Sequence, residues 1–181
     1  MKVPEERVSD TTFEDLAMPL FDQLYNFARW LTQDTAEAED LVQETYTKAL
    51  RGFSSFQLGT NFRAWMYRIL RNSFLSSRTG LRTMVAIEEE ADEAMLPAES
   101  TTPESILMAQ ADRETVQQAL ADLPGPFREI LLLCEVEEMS YQEIAETLTI
   151  PIGTVMSRLY RARKALRDLL GRKNEGGRHG M

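Results

Sequence analysis

The sequence predicts an all-α protein of two small helical domains joined by an acidic, flexible linker. Apolar residues recur at three- and four-residue steps in several segments, as they do on one face of a helix. No segment alternates apolar and polar residues over the length of a strand. Between the periodic segments, the run EEEADEAMLPAESTTPE combines acids, two prolines and a Ser/Thr cluster without sustained periodicity. That composition is typical of a linker, which we place at 83–102.

The first domain is predicted over residues 12–82 and contains three helices. An apolar stripe predicts the first helix, over 12–31. Asp34 is a candidate N-cap for the second, with Glu37 three residues later, and Gly52 ends it. After a loop at 53–61, a third helix runs from about Phe62 to Ser77. Its predicted inner face consists of Phe62, Met66, Ile69, Leu70 and Phe74.

The second domain is predicted over residues 103–170. Thr102 and Pro103 suit a helix start, and that helix reaches about Asp122. After LPGP, a further helix runs from Pro126 to about Glu137. Ser140 and Glu143 then form a capping box, S-x-x-E, and the short turn TIPIGT separates two helices. Residues 140–164 therefore predict a helix-turn-helix, and residues 171–181 a disordered tail.

The charge of the chain is unevenly distributed. Its net charge is −9, yet residues 48–82 hold seven bases and no acid. Residues 158–173 hold seven bases and one acid. Two separated basic islands suit two contacts with a polyanion, whereas a pI near 4.8 argues against a general nucleic-acid coat protein.

The second helix of the helix-turn-helix has an outer face suited to duplex DNA. In such motifs, the N-terminal part of this helix enters the major groove. The side chains on that face are Ser157, Tyr160, Arg161 and Lys164. Arginine can read guanine there, and Arg163 and Arg167 are predicted at the side, near phosphates.

The stretch SFQLGTNFRAWMYRILRN, residues 55–72, sets aromatic rings among arginines. Rings accept the faces of unstacked bases and arginines follow the backbone, so this stretch favours single-stranded nucleic acid. The predicted outer stripe of the helix is Tyr67, Arg68, Arg71 and Arg78, flanked by Asn72. Phe56, Asn61 and Arg63 precede it or open it, while Trp65 is interpreted as a core residue.

Signatures of other classes are missing from the sequence. One histidine and one cysteine cannot build a zinc site, and no nucleotide-binding or hydrolase motif occurs. We therefore expect no enzyme activity, no metal and no cofactor. No signal core or membrane-length apolar run is present, which favours the cytoplasm. From spacing alone, the polar stripe of Asp40, Gln43 and Glu44 is interpreted as a solvent-exposed face.

These motifs together resemble the extracytoplasmic-function (group 4) sigma factors of bacteria. AEDLVQETYTKAL (38–50) resembles region 2.2, which docks on the β′ subunit of RNA polymerase. FSSFQLGTNFRAWMYRILRNSFLSSR (53–78) resembles regions 2.3 and 2.4, which melt and read the −10 promoter element. The run from Leu123 to Leu166 resembles region 4, which binds the −35 element.

The resemblance implies a function and site residues. The chain is expected to bind core RNA polymerase (β′ and β subunits), promoter DNA and an anti-sigma factor, with no requirement for a homo-oligomer or membrane insertion. It implies polymerase docking by Asp40, Leu41, Gln43 and Glu44. It implies −10 contacts by Phe56, Asn61, Arg63, Tyr67, Arg68, Arg71 and Asn72. It implies −35 contacts by Thr154, Ser157, Arg158, Tyr160, Arg161 and Lys164.

Three questions stay open at this point. Met156 stands where family members often carry arginine, so the −35 preference is altered or depends on DNA shape. A polymerase-independent helix-turn-helix regulator that binds duplex operators is the rival function, although it has no use for the aromatic-basic stretch. The acidic linker is either a solvated spacer or a segment that masks the basic islands in the free protein.

Overall fold

Two stretches of the chain, residues 11–79 and 113–176, are described by the computed structural model. They fall into two separate compact units, one within residues 1–82 and one within residues 83–181. Both are helical, and neither stretch contains a strand, so the all-α prediction is confirmed. The linker at 83–102 and the helix start at Thr102 lie outside the described residues, and the domain boundaries stay predictions.

The first unit begins with a helix that breaks after five residues. Thr12 caps α1 (Phe13–Ala17) in a reciprocal box with Asp15. A 3₁₀ turn (Met18–Leu20) follows, and α2 covers Phe21–Thr32. The prediction of one continuous helix over 12–31 is therefore wrong, because the helix is interrupted at Met18–Leu20. The break contains Pro19, which has no backbone N–H to donate and ends the α-helical pattern.

Two longer helices complete the first unit. α3 covers Thr35–Gly52, and Asp34 caps it by accepting a hydrogen bond from the Glu37 backbone N–H at 2.9 Å. A 3₁₀ turn (Phe53–Ser55) leads into a loop, and α4 covers Phe62–Thr79. Both the cap and the end at Gly52 were predicted. Helices α2, α3 and α4 enclose a core that includes Leu24, Phe27, Val42, Met66 and Leu70.

In the second unit, α5 (Arg113–Asp122) and α6 (Gly125–Leu131) are joined by the side chain of Arg128. Its guanidinium donates to the carbonyl oxygens of Leu120, Ala121 and Leu123 at 2.9 to 3.1 Å. These carbonyls lie at the end of α5, where no further helical turn satisfies them, so Arg128 caps that helix. A π-helical segment (Leu132–Val136) follows α6, where an unbroken α-helix to Glu137 was predicted.

The predicted helix-turn-helix is present. Ser140 and Glu143 form the expected capping box at the start of α7 (Tyr141–Leu148). After a turn, α8 covers Ile152–Gly176. Its buried row consists of Val155, Leu159, Ala162, Leu166 and Leu170. The prediction of a disordered tail from residue 171 is wrong as far as Gly176, because α8 continues, and residues 177–181 lie outside the described part.

Candidate nucleic-acid and partner interfaces

One face of α3 carries the polar stripe that the sequence singled out. Asp40, Gln43 and Glu44 are exposed, and Glu44 forms an ion pair with Lys48 at 2.5 Å. Leu41, by contrast, is only 6% exposed, because it belongs to the inward row of α3 together with Val42. The inclusion of Leu41 among the partner-binding residues is therefore wrong, since its side chain supports the helix from within.

A cavity of about 470 Å³ opens between α2 and α3 beside this stripe. The residues that line it are Phe21, Tyr25, Glu39, Val42, Gln43 and Tyr46. Phe21 is 42% exposed, which is unusual for a ring of its size. This groove was not predicted from the sequence. The sequence feature that could have indicated the groove is the pair Phe21 and Tyr25. These rings are four residues apart on α2, so they share a face, and they do not belong to the apolar stripe that fills the core.

Tyr46, one of the lining residues, connects the groove to the break between α1 and α2 by a hydrogen bond. Its hydroxyl donates to the carbonyl oxygen of Ala17 at 2.7 Å. Partial burial, together with the negative charge of Asp22, raises the pKa of Tyr46 to about 12. The phenol therefore stays protonated at neutral pH and keeps donating this hydrogen bond.

Tyr67 does not lie on the outer face of α4. It is fully buried, with its ring 5.2 Å from that of Phe27. Met66 and Leu70 are fully buried as well, so the inward face of α4 is centred closer to Tyr67 than the sequence indicated. The prediction that Tyr67 contacts DNA is therefore wrong, because a ring without exposed surface offers nothing for a base to stack on.

The segment between α3 and α4, together with the first turn of α4, holds a cluster of aromatic residues. Phe56 packs on Trp65 and Phe62, with ring centroids 4.9 and 5.2 Å apart, and Phe53 stacks on Phe56 at 6.2 Å. Phe56 and Trp65 are half-buried, so each offers part of its surface to the outside. Part of the aromatic richness of this stretch is thus packing, which fixes the loop at the entrance to α4.

Polar and basic residues surround this cluster and continue along α4. The side chain of Asn61 caps the helix by accepting from the Ala64 backbone N–H at 2.9 Å. Arg63, Arg68 and Arg71 are partly exposed, and Asn72 is exposed. Arg68, Arg71 and Asn72 lie within one turn and share a face, as i, i+3 and i+4 positions do.

The outer side of α8 presents the residues that were predicted to face duplex DNA. Tyr160 and Lys164 are exposed, and Thr154, Ser157, Arg158 and Arg161 are partly exposed. Arg161 reaches back along the helix, with its Nε 3.5 Å from the Ser157 carbonyl oxygen. Met156 is 41% exposed and Ile152 is 47% exposed, so the surface at the N-terminal end of α8 contains apolar side chains as well as polar and basic ones.

Other classes of site are not found in the described stretches. Residues 11–79 and 113–176 hold no group of three or more His, Cys, Asp or Glu side chains that could ligate a metal. Within the same residues, every helix is too short or too polar to cross a membrane.

Comparison with known proteins assigns this arrangement to a family. The sequence profile of Sigma-70 region 2 matches residues 16–83, and that of Sigma-70, region 4 matches residues 113–166. Over 175 residues the chain is 39% identical to the ECF RNA polymerase sigma factor SigE of Mycolicibacterium smegmatis, covering 91% of this chain and 67% of that one. The ECF RNA polymerase sigma factor SigW of Bacillus subtilis is 29% identical over 165 residues, covering 87% and 88%.

A solved structure agrees with these matches. The sigma factor RpoE of Bartonella quintana, crystallised with the anti-sigma factor NepR, has a TM-score of 0.64 and 30% identity, over 87% of this chain and 98% of its own. The fold and the two matched regions define a DNA-binding transcription factor of the sigma-70 family. Within that family, the chain belongs to the extracytoplasmic-function sigma factors, and it directs promoter-specific transcription. The rival interpretation as a polymerase-independent regulator is not favoured.

Proposed function

We propose that this sigma factor docks on core RNA polymerase through α3, reads the −35 duplex with α8 and opens the −10 element with the loop before α4 and the outer face of α4. The observation that carries the proposal is that the two units of the fold carry two different kinds of surface. A helix-turn-helix suited to duplex DNA occupies one unit, and a basic surface with half-exposed rings occupies the other. A protein that only bound duplex operators would not use the second surface.

Docking is supported by the exposed stripe of Asp40, Gln43 and Glu44. The carboxylates and the amide project from one side of a long helix whose inner row is packed against α2 and α4. A rigid acidic face suits a basic partner surface, because complementary charge raises the association rate and fixes the register. We assign the partner surface to the β′ subunit, with β as a further contact of the assembled enzyme.

Recognition of the −35 duplex is assigned to Thr154, Ser157, Arg158, Tyr160, Arg161 and Lys164. The N-terminal half of α8 follows the turn of the motif, which is the part that enters the major groove. Arginine reads guanine through two hydrogen bonds, and hydroxyl and lysine side chains contact bases or phosphates.

Opening of the −10 element is assigned to Phe56, Asn61, Arg63, Arg68, Arg71 and Asn72. The half-exposed ring of Phe56 lies beside the helix start that Asn61 caps, and the arginines continue along α4. Stacking on a ring and hydrogen bonds from amide groups hold a base that has left the duplex. Tyr67 supports this surface from the core.

An anti-sigma factor is the proposed regulatory partner. The support is the Bartonella quintana sigma factor, which was crystallised with the anti-sigma factor NepR. With polymerase and promoter DNA as its other partners, the protein acts in the cytoplasm.

Run-off transcription with core RNA polymerase on a promoter library tests the proposal. Transcripts should start downstream of sequences that share one −35 and one −10 element. The purified protein should shift the same promoters poorly without core polymerase, because each unit alone makes few contacts. A tight, sequence-specific shift by the free protein, together with no promoter-dependent transcript, would contradict the proposal.

A further inference from the structure

Arg163 on α8 is held by residues that precede the helix-turn-helix. Its Nε and Nη2 donate to Glu135 Oε1 at 3.1 and 2.7 Å, and its Nη2 lies 3.6 Å from the Sγ of Cys134. Burial lowers the pKa of Arg163, but the hydrogen bonds to Glu135 and the negative charge of that carboxylate outweigh this effect, and the net shift is upward. Arg163 therefore stays charged in this position.

These contacts connect α8 to the segment that precedes the helix-turn-helix. Glu135 and Cys134 both lie in the π-helical segment Leu132–Val136. Glu135 and Arg163 are 28 positions apart in the sequence, so α7, the turn and the first half of α8 lie between them. Single π turns within helices are frequent at functional sites, and here the turn contains the residue that binds Arg163.

The direction of this contact constrains the rotation of α8. The buried apolar row of α8 holds the helix against the unit, but the hydrophobic effect is non-directional and fixes the rotation of the helix only coarsely. Hydrogen bonds between charged groups require a defined geometry and fix the rotation more closely. Successive helical residues are about 100° apart, so Arg161 and Arg163 point to nearly opposite sides. When Glu135 holds Arg163 on one side, Arg161 is turned to the other.

The same contact removes Arg163 from the set of phosphate ligands predicted from the sequence. Its charge is compensated by Glu135, whose side chain is 45% exposed. An arginine already bonded to a carboxylate adds little to the attraction for a phosphate, because the pair carries no net charge. Lys164, the next residue, is exposed and suits that role.

We propose that Glu135 and Arg163 are positioning residues for base reading, which fix the rotation of α8 so that Arg161 and its neighbours face the base edges of the −35 element. The inference rests on the proposed function, because it assumes that α8 reads this duplex.

The test uses holoenzyme reconstituted from the full chain and core polymerase. A promoter selected by the wild type is compared with a version that carries one −35 base change, at several salt concentrations. Glu135→Gln and Arg163→Met should each reduce the discrimination between the two promoters about fivefold or more, with an unchanged salt slope. The exchange Glu135→Arg with Arg163→Glu should restore discrimination. As a control, Lys164→Met should weaken both promoters equally and lower the salt slope by about 1.

Two results would overturn the inference, once circular dichroism shows that the variants are folded. One is an unchanged discrimination in Glu135→Gln, which also serves if Arg163→Met does not fold. The other is an Arg163→Met variant that keeps its discrimination and loses about 1 in salt slope, which is the behaviour of a phosphate ligand. A wild-type holoenzyme that does not distinguish the two promoters would instead contradict the proposed −35 reading by α8.

Discussion

Glu44 is exposed on α3, and its ion pair with Lys48 is exposed as well, a kind of pair that contributes little to stability. We predict that Glu44→Lys folds normally and loses affinity for core polymerase. The substitution places positive charge against a partner surface that we expect to be basic, and such a juxtaposition costs on the order of several kcal/mol. Competition against wild type for core polymerase measures the loss.

Glu114→Lys is the matched control, because it makes the same change of charge at an exposed position in the second unit. It should compete like the wild type. If Glu44→Lys also competed for core polymerase as well as the wild type does, the docking assignment would be contradicted.

The full burial of Tyr67 predicts a loss of stability upon truncation. Tyr67→Ala should lower the free energy of unfolding by about 3–5 kcal/mol, as the removal of a large buried ring does. Tyr160→Ala removes a ring of the same size that is 46% exposed, and should change stability by only about 0.5 kcal/mol or less. Urea unfolding of both variants makes the comparison. Similar stabilities for the two would show that Tyr67 is not a core residue.

Tyr46 predicts a dependence of stability on alkaline pH. Its pKa is raised to about 12 in the folded protein, first by burial and then by Asp22, whereas in the unfolded chain it is near 10. Stability from the protonated phenol is therefore complete below pH 10 and is lost between about pH 10 and 12, as the unfolded form releases the proton. The wild type should lose stability more steeply than Tyr46→Phe over this range in thermal unfolding. Parallel curves would contradict the assignment.

Among the secondary-structure elements, the turn of the helix-turn-helix carries backbone strain. Thr149 ends α7 with φ of 57°, a region that β-branched residues rarely adopt. We predict that Thr149→Gly raises the free energy of unfolding by about 0.5–1 kcal/mol, because glycine adopts this conformation without steric cost. Thr47→Gly, at an exposed position within α3, should lower it instead. Urea unfolding gives both values, and a destabilised Thr149→Gly would contradict the strain.

The elements that could be predicted from sequence are those governed by local chemistry. The caps at Asp34 and Ser140 and the end at Gly52 follow from side-chain chemistry within a few residues. The π-helical segment has no local signal of that kind. The rotation of α4, which buries Tyr67, depends on how α2 and α3 pack against it, because an amphipathic pattern defines its inward face only to within a residue or two.

The parts of the candidate site that could be predicted from sequence are those that depend on the distribution of charged residues along the chain. The two basic islands and the polar stripe of α3 are of this kind. The partner of Arg163 is not, because Glu135 is 28 positions away and only the packing of α8 brings the two together. The groove beside Tyr46 could not be predicted for a similar reason, since residues of both α2 and α3 line it and only their packing brings them together.

For the whole molecule, we predict that the two DNA surfaces do separable jobs. Arg161→Ala should weaken formation of the closed complex, because losing a base-reading arginine costs about 1–3 kcal/mol. Polymerase that still binds should open DNA at a near-normal rate. Asn72→Ala should leave initial binding nearly intact and slow opening, because an unstacked base needs stabilising only after melting.

Run-off transcription on duplex and pre-melted −10 templates separates the two defects. The bubble removes the cost of unpairing, so it should rescue Asn72→Ala and do little for Arg161→Ala. Equal rescue of both variants would contradict the separation of roles.

The contacts of Phe13 also set the order in which the first unit can form during synthesis. Its ring packs on Tyr46, Phe53 and Phe62, at centroid distances of 6.3, 5.5 and 6.2 Å. The ring of Phe13 therefore does not have all three of these packing partners until the ribosome has made the start of α4. Domains generally fold as units during synthesis, so we expect the loop that we assign to −10 opening to take its shape once α4 has been made.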